Sequence, residues 1–254
     1  MTRNPPGPSK LLRWHPASIA ASAAGALGLA ALLLAVLLGT ACGGGSDKSA
    51  PVKGNVFGNP GFEDGSDPWY SLKPPDFLVS DSVSHSGGHS AFLPFRAGLD
   101  ETGNKIYYLV QEITPKEFPE AISGYYKVEN WKKGTEKQYL QFVVIVFGAE
   151  NRPPEFNNHQ IRYILTGLDA PPFAIANAKF HFITKDLEPV QGQWVRFEQP
   201  VAEDFKRLWG DVPKNFDKIR LLFEVRYDDK QSGEGPVTAD VYYDDLYFGP
   251  APPP

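Results

Sequence analysis

An all-β fold, either a two-sheet sandwich or a barrel, is what the sequence predicts, and three observations predict it. Short runs rich in β-branched and aromatic residues recur along most of the chain. Clusters of Gly, Pro, Asn and Asp separate these runs, and only one short segment has a helical pattern. Many short strands joined by turns, with almost no helix, are typical of β-sandwiches and barrels.

The predicted strands, in chain order, lie near residues 76–80, 90–96, 105–113, 122–130, 138–147, 160–166, 174–184, 194–200, 218–227 and 238–248. The run at 218–227 is the clearest, because Ile219, Leu221 and Phe223 alternate with polar residues. The run at 138–147 is apolar on both faces in its second half, which indicates a central strand covered on each side. The predicted helix is 202–209, which lies between two prolines.

The first 42 residues are typical of a segment that carries a protein to or through a membrane. A basic start with no acidic residue is followed by an uncharged, Ala- and Leu-rich stretch from Ala17 to Ala41, long enough to cross a bilayer. The stretch resembles a bacterial lipoprotein signal, in which Cys42, the single cysteine, becomes lipidated; Gly39 departs from the usual apolar residue. The alternative is an uncleaved membrane anchor. Both interpretations place the rest of the chain outside the cytoplasmic membrane, anchored to it.

Residues 43–54 read as a flexible linker, 55–250 as one domain, and 251–254 as a disordered tail. The domain contains no cysteine, so no disulfide stabilises it. Subtracting the three cations of the leader from the formal net charge of −5 leaves −8 for the remainder. An acidic domain rich in aromatic residues argues against nucleic acid as a partner and favours neutral ligands, cations or proteins.

An ordered set of motifs spans 55–249. Asn-Pro-Gly-Phe-Glu-Asp-Gly at 59–65 is followed by Trp69, and His-Ser-Gly-Gly-His-Ser at 85–90 opens a strand. Further along come Val-Gln-Glu-Ile at 110–113, Ser-Gly-Tyr-Tyr-Lys-Val at 123–128 and Gln-Trp-Val-Arg-Phe at 193–197. The last is Val-Tyr-Tyr-Asp-Asp-Leu at 241–246. The set resembles the family 4/9-type carbohydrate-binding modules, which are galactose-binding-like jelly rolls. The insert at 148–170 departs from the pattern.

This resemblance implies a jelly-roll β-sandwich with a structural calcium ion between its first and last strands. The ligands it implies are Glu63 and Asp244, with Asp245 as the alternative to Asp244, and the turn at 86–88 would lend carbonyl groups. Calcium accepts several oxygen ligands and tolerates irregular loops, so this donor set is chemically reasonable. Without the resemblance, Glu63 would read as a turn residue and the Asp pair as a solvated strand end.

The resemblance also implies carbohydrate binding, which needs flat aromatic faces and a few polar partners for hydroxyl groups. Alternation around 122–128 predicts that Tyr125 faces outward. The other candidates for the same surface are Tyr107 or its neighbour Tyr108, Tyr139, Gln141 and Trp131. Each of these aromatics could equally be a packing residue. Trp69 and Trp194 are expected in the core.

No motif of an enzyme is present: there is no Gly-x-Ser-x-Gly, no phosphate-binding loop and no His-Glu-x-x-His. His85 and His89 flank two glycines and are interpreted as exposed turn residues. The prediction is therefore a non-catalytic, membrane-tethered lipoprotein that binds polysaccharide or another glycan. The alternative is a structural or protein-interaction module of the same fold without sugar binding. A third class is a glycan-active enzyme whose pair of carboxylates no motif marks.

Overall fold

The computed structural model describes residues 52–134 and 137–251. The predicted signal or anchor, Cys42, nearly all of the linker and the last three residues of the tail lie outside these ranges. Within the described ranges, no helix is long and apolar enough to cross a bilayer.

The described residues form a jelly-roll β-sandwich of two largely antiparallel sheets, as the sequence predicts. A five-stranded sheet has the order β1-β2-β11-β4-β9, and a six-stranded sheet the order β3-β10-β5-β6-β8-β7. The elements are β1 (Leu78–Ser80), β2 (Ser90–Ala97), β3 (Gly103–Ile113), β4 (Ala121–Lys132), β5 (Gln138–Phe147), β6 (Asn158–Thr166), β7 (Ala174–Ile175), β8 (Ala178–Phe182), β9 (Trp194–Gln199), α1 (Val201–Trp209), β10 (Lys218–Lys230) and β11 (Val237–Gly249).

Each predicted strand is present, and one of them is divided. The run predicted at 174–184 becomes two strands, β7 and β8, because Ala176 adopts a left-handed φ of 50° and turns the chain back on itself. β8 then pairs with β6 in parallel, while β7 pairs antiparallel at the sheet edge. The predicted central strand, β5, does lie inside its sheet, between β10 and β6.

The core lies between the sheets and is strongly aromatic. Phe223 of β10 is fully buried and contacts the rings of Phe57, Phe142 and Tyr243, which come from both sheets and from the segment ahead of β1. Burying such large side chains supplies the main stabilisation in a domain without disulfides.

The segment at 55–58, which we call the strap, connects the two sheets. The side chain of Asn55 hydrogen-bonds both Leu246 O and Phe248 N of β11. Three residues later, Gly58 exchanges two hydrogen bonds with the Gln111 side chain of β3. Since β11 and β3 belong to different sheets, this short segment is bonded to both sides of the sandwich.

Candidate functional site

The outer face of the six-stranded sheet, which points away from the core, carries charged, amide and aromatic side chains close together. Strand register fixes its membership, since opposed residues share a face. In one row, Glu224 lies opposite Tyr108 on β3 and Gln141 on β5. In the next row, Leu222 lies opposite Val110 and Val143, Val143 opposite Arg162, and Arg162 opposite Phe180.

A buried polar network occupies the middle of this outer face. Gln141 donates to Glu224, and Arg226 bonds both Glu224 at 3.0 Å and Asp228 at 2.7 Å. The hydroxyl of Tyr139 donates to Asp228 at 2.7 Å, and the guanidinium of Arg226 lies 5.5 Å from the Tyr139 ring centroid. Within the part of the chain that the structure describes, Gln141 Oε1 is buried without a hydrogen-bond partner.

The pKa values in this network follow from burial and from the pairing of charges. Burial opposes the charge on Arg226, but Glu224 and Asp228 beside it outweigh burial and raise its pKa. Burial also raises the pKa values of Tyr139 and Tyr108. The network therefore combines a permanent guanidinium charge, ion-paired with Glu224 and Asp228, with the neutral hydroxyl of Tyr139 and the amide of Gln141.

An apolar floor with aromatic flanks adjoins the network. Val110, Val143 and Leu222 are buried and form a cluster separate from the core, with Tyr108 packed against it. At the opposite flank, Phe180 stacks on Phe173 with ring centroids 4.1 Å apart. No described helix or strand packs over this face, so its flanking rings are available to a ligand.

The residues predicted for sugar binding do not share one surface, contrary to expectation. Tyr139 and Gln141 lie on the outer face of the six-stranded sheet. Tyr107 points inward instead, opposite Val225, and contacts Phe95 in the core, so that its neighbour Tyr108 faces out. Trp131 is also in the core. A bulge at Asn130, whose φ is 51°, interrupts the alternation of β4 just before it.

Tyr125 faces outward as predicted, but from the five-stranded sheet. Its ring stacks on the imidazole of His85 with centroids 3.6 Å apart. Trp194, expected in the core, lies on this same face: its ring meets His85 edge-on at 5.6 Å, while the adjacent Val195 packs inward. Strand alternation accounts for the correction, because Val195 is opposite the buried Tyr126.

The predicted calcium residues lie together where the first turn meets the last strand. Phe62 is fully buried with a left-handed φ of 61°, and it packs on Trp69 and Phe77. This backbone conformation places Phe62 in the core and leaves Glu63 beside the loop at 85–89. A bulge in β11 after Asp244 lets Asp244 and Asp245 approach the same loop.

The loop at 85–89 contacts these carboxylates through N–H groups and side chains. Glu63 accepts from the N–H of Gly88 at 2.8 Å and of His89 at 3.0 Å. Asp244 accepts from the N–H of His85 at 2.7 Å. The imidazoles also have partners: His85 contacts Asp245 at 2.6 Å and His89 contacts Glu63 at 3.2 Å. The two histidines are turn residues with partly exposed side chains, as expected, and each of them also contacts a carboxylate.

Burial and the neighbouring Asp245 raise the pKa of Asp244 to about 7, although hydrogen bonds from the loop oppose the shift. Burial acts the same way on Glu63, but the hydrogen bonds from Gly88 and His89 outweigh it and lower the pKa of that carboxyl. Asp244 is thus the carboxyl least compensated by its surroundings.

The residues present fit a calcium ion by donor type, because carboxylate oxygens are the ligands that calcium prefers. A Cβ atom built on Gly61 would lie 3.6 Å from Asp244 Oδ1 and 3.9 Å from Asp245 Oδ1, whereas the Glu63 atom near it is Cγ, and the Glu63 carboxylate accepts hydrogen bonds from Gly88 and His89 instead. Among the residues that the structure describes, no three Asp, Glu, His or Cys side chains form a metal-binding cluster. A cation here would therefore need backbone carbonyl oxygens beside the carboxylates.

Comparison with known proteins adds a likeness in fold. No protein-family model and no curated protein matches the chain. Among solved structures, the chain is similar to TmCBM61 in complex with β-1,4-galactotriose, at 15% identity over 76% of this chain and 97% of that chain, with a TM-score of 0.40. It is also similar to the C-terminal family 22 carbohydrate-binding module of Clostridium thermocellum Xyn10B, at 11% identity over 78% and 96%, with a TM-score of 0.42.

A third similar structure is the catalytic domain of Humicola grisea Cel12A, at 9% identity over 77% of this chain and 90% of that chain, with a TM-score of 0.39. Likenesses this distant carry no argument about ligand or reaction. The structural class of the protein therefore follows from its own fold and surface. It is a two-sheet β-sandwich, and the outer face of one sheet carries a polar network flanked by aromatic rings.

Sequence reasoning missed several residues of the outer face. Glu224 and Arg226 stand at the outward positions of β10, where their alternation with Phe223 and Val225 was already visible. Charged residues at alternate positions normally indicate a solvated face, and their burial arises only when neighbouring strands bring partners alongside. Nothing in the local pattern distinguished Arg162 from an ordinary surface residue.

Proposed function

We propose that this domain binds carbohydrate without catalysis, on the outer face of the six-stranded sheet. The observation that carries the proposal is the buried network of Tyr139, Gln141, Glu224, Arg226 and Asp228 on a face that no described element covers. Fixed donors and acceptors beside an apolar floor are what a sugar needs, because its hydroxyl groups require partners and its C–H faces require contact area.

Pre-organisation supports the proposal. Glu224, Gln141 and Tyr139 are almost fully buried and already hydrogen-bonded within the network, Gln141 to Glu224 and Tyr139 to Asp228, so little side-chain freedom is lost on binding. Tyr108 lies at the edge of the floor, where its ring can cover a pyranose. The proposal thus keeps Tyr139 and Gln141 from the predicted set, and places Tyr125 outside the binding surface. Membership of the family 4/9-type modules is part of the same proposal.

A glycan array probed with the full-length chain in detergent tests this function. We expect binding to at least one polysaccharide, and a loss of about tenfold or more in affinity for Tyr108→Ala, since truncation of an aromatic anchor in a binding surface typically costs about 2 kcal/mol and each 1.4 kcal/mol is about tenfold. Tyr125→Ala, on the opposite sheet, is the matched control and should bind normally. If binding depends on Tyr125 and not on Tyr108, the binding site is on the five-stranded sheet. If the chain binds no glycan at all, the protein-interaction alternative is favoured.

We propose further that a structural calcium ion lies among Glu63, Asp244 and Asp245. When bound, it would supply positive charge to three acidic side chains that otherwise have mainly histidine and N–H partners. A chelator should lower the melting temperature of the wild-type chain, and Glu63→Ala should abolish that sensitivity, while the exposed Glu117→Ala keeps it. An unchanged wild-type melting temperature in chelator would refute the ion.

The setting at the outer side of the cytoplasmic membrane is also a proposal, supported by the basic start, the apolar stretch from Ala17 to Ala41 and Cys42. Cys42→Ser should release or mislocalise the protein if Cys42 is lipidated. Continued membrane retention of that variant would show that the apolar stretch itself is the anchor.

A further inference from the structure

We infer that the glycan recognised by the outer face carries carboxylate groups, as uronic acid residues do, and that Arg162 and Lys73 bind them. This inference rests on the proposed function, because it assumes that the face binds carbohydrate. The basis of the inference is the pairing of charged side chains on this face. Some of its cationic side chains form ion pairs with carboxylates of the protein, whereas Arg162 and Lys73 do not.

The compensated cations have clear partners. Lys218 and Arg220 both contact Glu112, at 2.9 Å and 2.6 Å. Arg226 is held between Glu224 and Asp228, as described above. These side chains are therefore committed to structural ion pairs, and a negatively charged ligand would have to compete with a carboxylate already in place.

Arg162 differs from its neighbours on the same face. Its Nε donates to the neutral Gln160 side chain at 3.1 Å, and its guanidinium lies 5.6 Å from the centroid of the Phe180 ring. In the ranges 52–134 and 137–251 it has no carboxylate partner, and its two terminal nitrogen groups have no hydrogen-bond acceptor. The planar fork is thus held in position by Gln160 and Phe180 and is free to bind a carboxylate in two-point fashion.

Lys73 is the counterpart at the other flank. Its ammonium group lies 5.9 Å from the centroid of the Tyr108 ring, and it has no carboxylate partner among the described residues. Each flank therefore offers an aromatic ring with an uncompensated cation beside it.

The spacing of the two flanks suits a chain of sugars. Tyr108 is on β3 and Arg162 on β6, three strand intervals apart, which is about 15 Å at the usual strand spacing. One monosaccharide cannot span that distance, whereas a polysaccharide with repeated carboxylates can contact both flanks. The domain as a whole is acidic, so attraction to such a polymer must come from these local cations and not from net charge.

The test compares acidic polysaccharides with their own carboxyl-reduced forms. The probes are polygalacturonate, alginate and glucuronoxylan, each paired with its reduced counterpart, and the protein is the full-length chain in detergent. For at least one pair we expect binding about tenfold or more tighter to the acidic form, with the difference shrinking as salt is raised. Arg162→Gln should remove most of this difference between the acidic and the reduced form.

Arg220→Gln is the matched control, because Arg220 is on the same face but paired with Glu112, and it should retain the preference. Lys73→Gln, an exposed loop variant, should weaken the preference several-fold and serves as the readout if circular dichroism shows that Arg162→Gln is misfolded. Equal binding to acidic and reduced forms, or equal binding to polyglutamate, would overturn the inference and leave carbohydrate binding standing. Binding to no polysaccharide at all would overturn the proposed function as well.

Discussion

Acidification should destabilise the domain through His159, a fully buried histidine at the start of β6. Its ring meets those of Phe205 and Trp209 edge-on, each at 5.2 Å, and neither of its nitrogens has a hydrogen-bond partner among the described residues. Burial, with a smaller effect from Arg152, lowers its pKa from 6.5 to about 4. The folded protein therefore holds a neutral imidazole where the unfolded chain holds a charged one at mildly acidic pH.

The sign and size of the effect follow from proton linkage. Between pH 6.5 and 4 the unfolded chain binds a proton that the folded protein does not, so the free energy of unfolding falls as the pH falls through that window. Relative to pH 8, the loss from this group is about 2 kcal/mol at pH 5 and approaches about 3 kcal/mol below pH 4, at roughly 1.4 kcal/mol per pKa unit. Above pH 6.5 the contribution is fully retained.

Urea unfolding of the full-length chain at a series of pH values measures this loss. His159→Leu removes the titrating group, and although the substitution also changes the stability at pH 8, the slope with pH is the informative quantity. The difference in unfolding free energy between wild type and His159→Leu should drift by about 2 kcal/mol from pH 8 to pH 5. Parallel pH profiles for the two proteins would refute the assignment of a neutral buried imidazole.

Two other substitutions test packing and buried charge by the same urea assay. Gly124→Ala should cost roughly 1–3 kcal/mol, because its Cβ would lie 2.7 Å from Leu246 Cδ2 and 3.0 Å from Phe197 Cζ. Gly98→Ala, whose Cβ meets nothing closer than 3.9 Å, is its near-neutral control, and equal losses would contradict the clash. Lys230→Met should cost roughly 2–4 kcal/mol, because the buried ammonium donates to three backbone carbonyls, one of them Glu101 O at 2.8 Å. An unchanged unfolding midpoint would show that these hydrogen bonds add no net stability.

The order and extent of the strands could be predicted from the sequence because each depends on local pattern. The run that became β5 shows why: its apolar residues on both faces indicate an interior strand, and β10 and β6 flank it. Trp69 was likewise assigned to the core correctly, and its ring packs there on Phe57 and Phe62.

The assignment of side chains to surfaces was less predictable, because it depends on single-residue irregularities. One bulge at Asn130 moved Trp131 into the core, and the register of β3 decided between Tyr107 and Tyr108. The contact of His85 with Asp245 arises only once β11 lies beside the loop at 85–89, and the contact of His89 with Glu63 only once the first turn meets that loop. A local stretch of sequence does not show which distant residues these histidines will contact.

The strap at 55–58 has a mechanical consequence. A pull on the chain ahead of Asn55 reaches the domain first at the Asn55 side chain, bonded to β11, and then at Gly58, bonded to β3. The applied force is thereby shared between the two sheets. It does not act on a single strand at the edge of one sheet. Phe57, inserted between Trp69 and Phe248, must leave the core before the strap can detach. Detachment of the strap therefore requires the loss of hydrogen bonds to both sheets and of aromatic packing in the core.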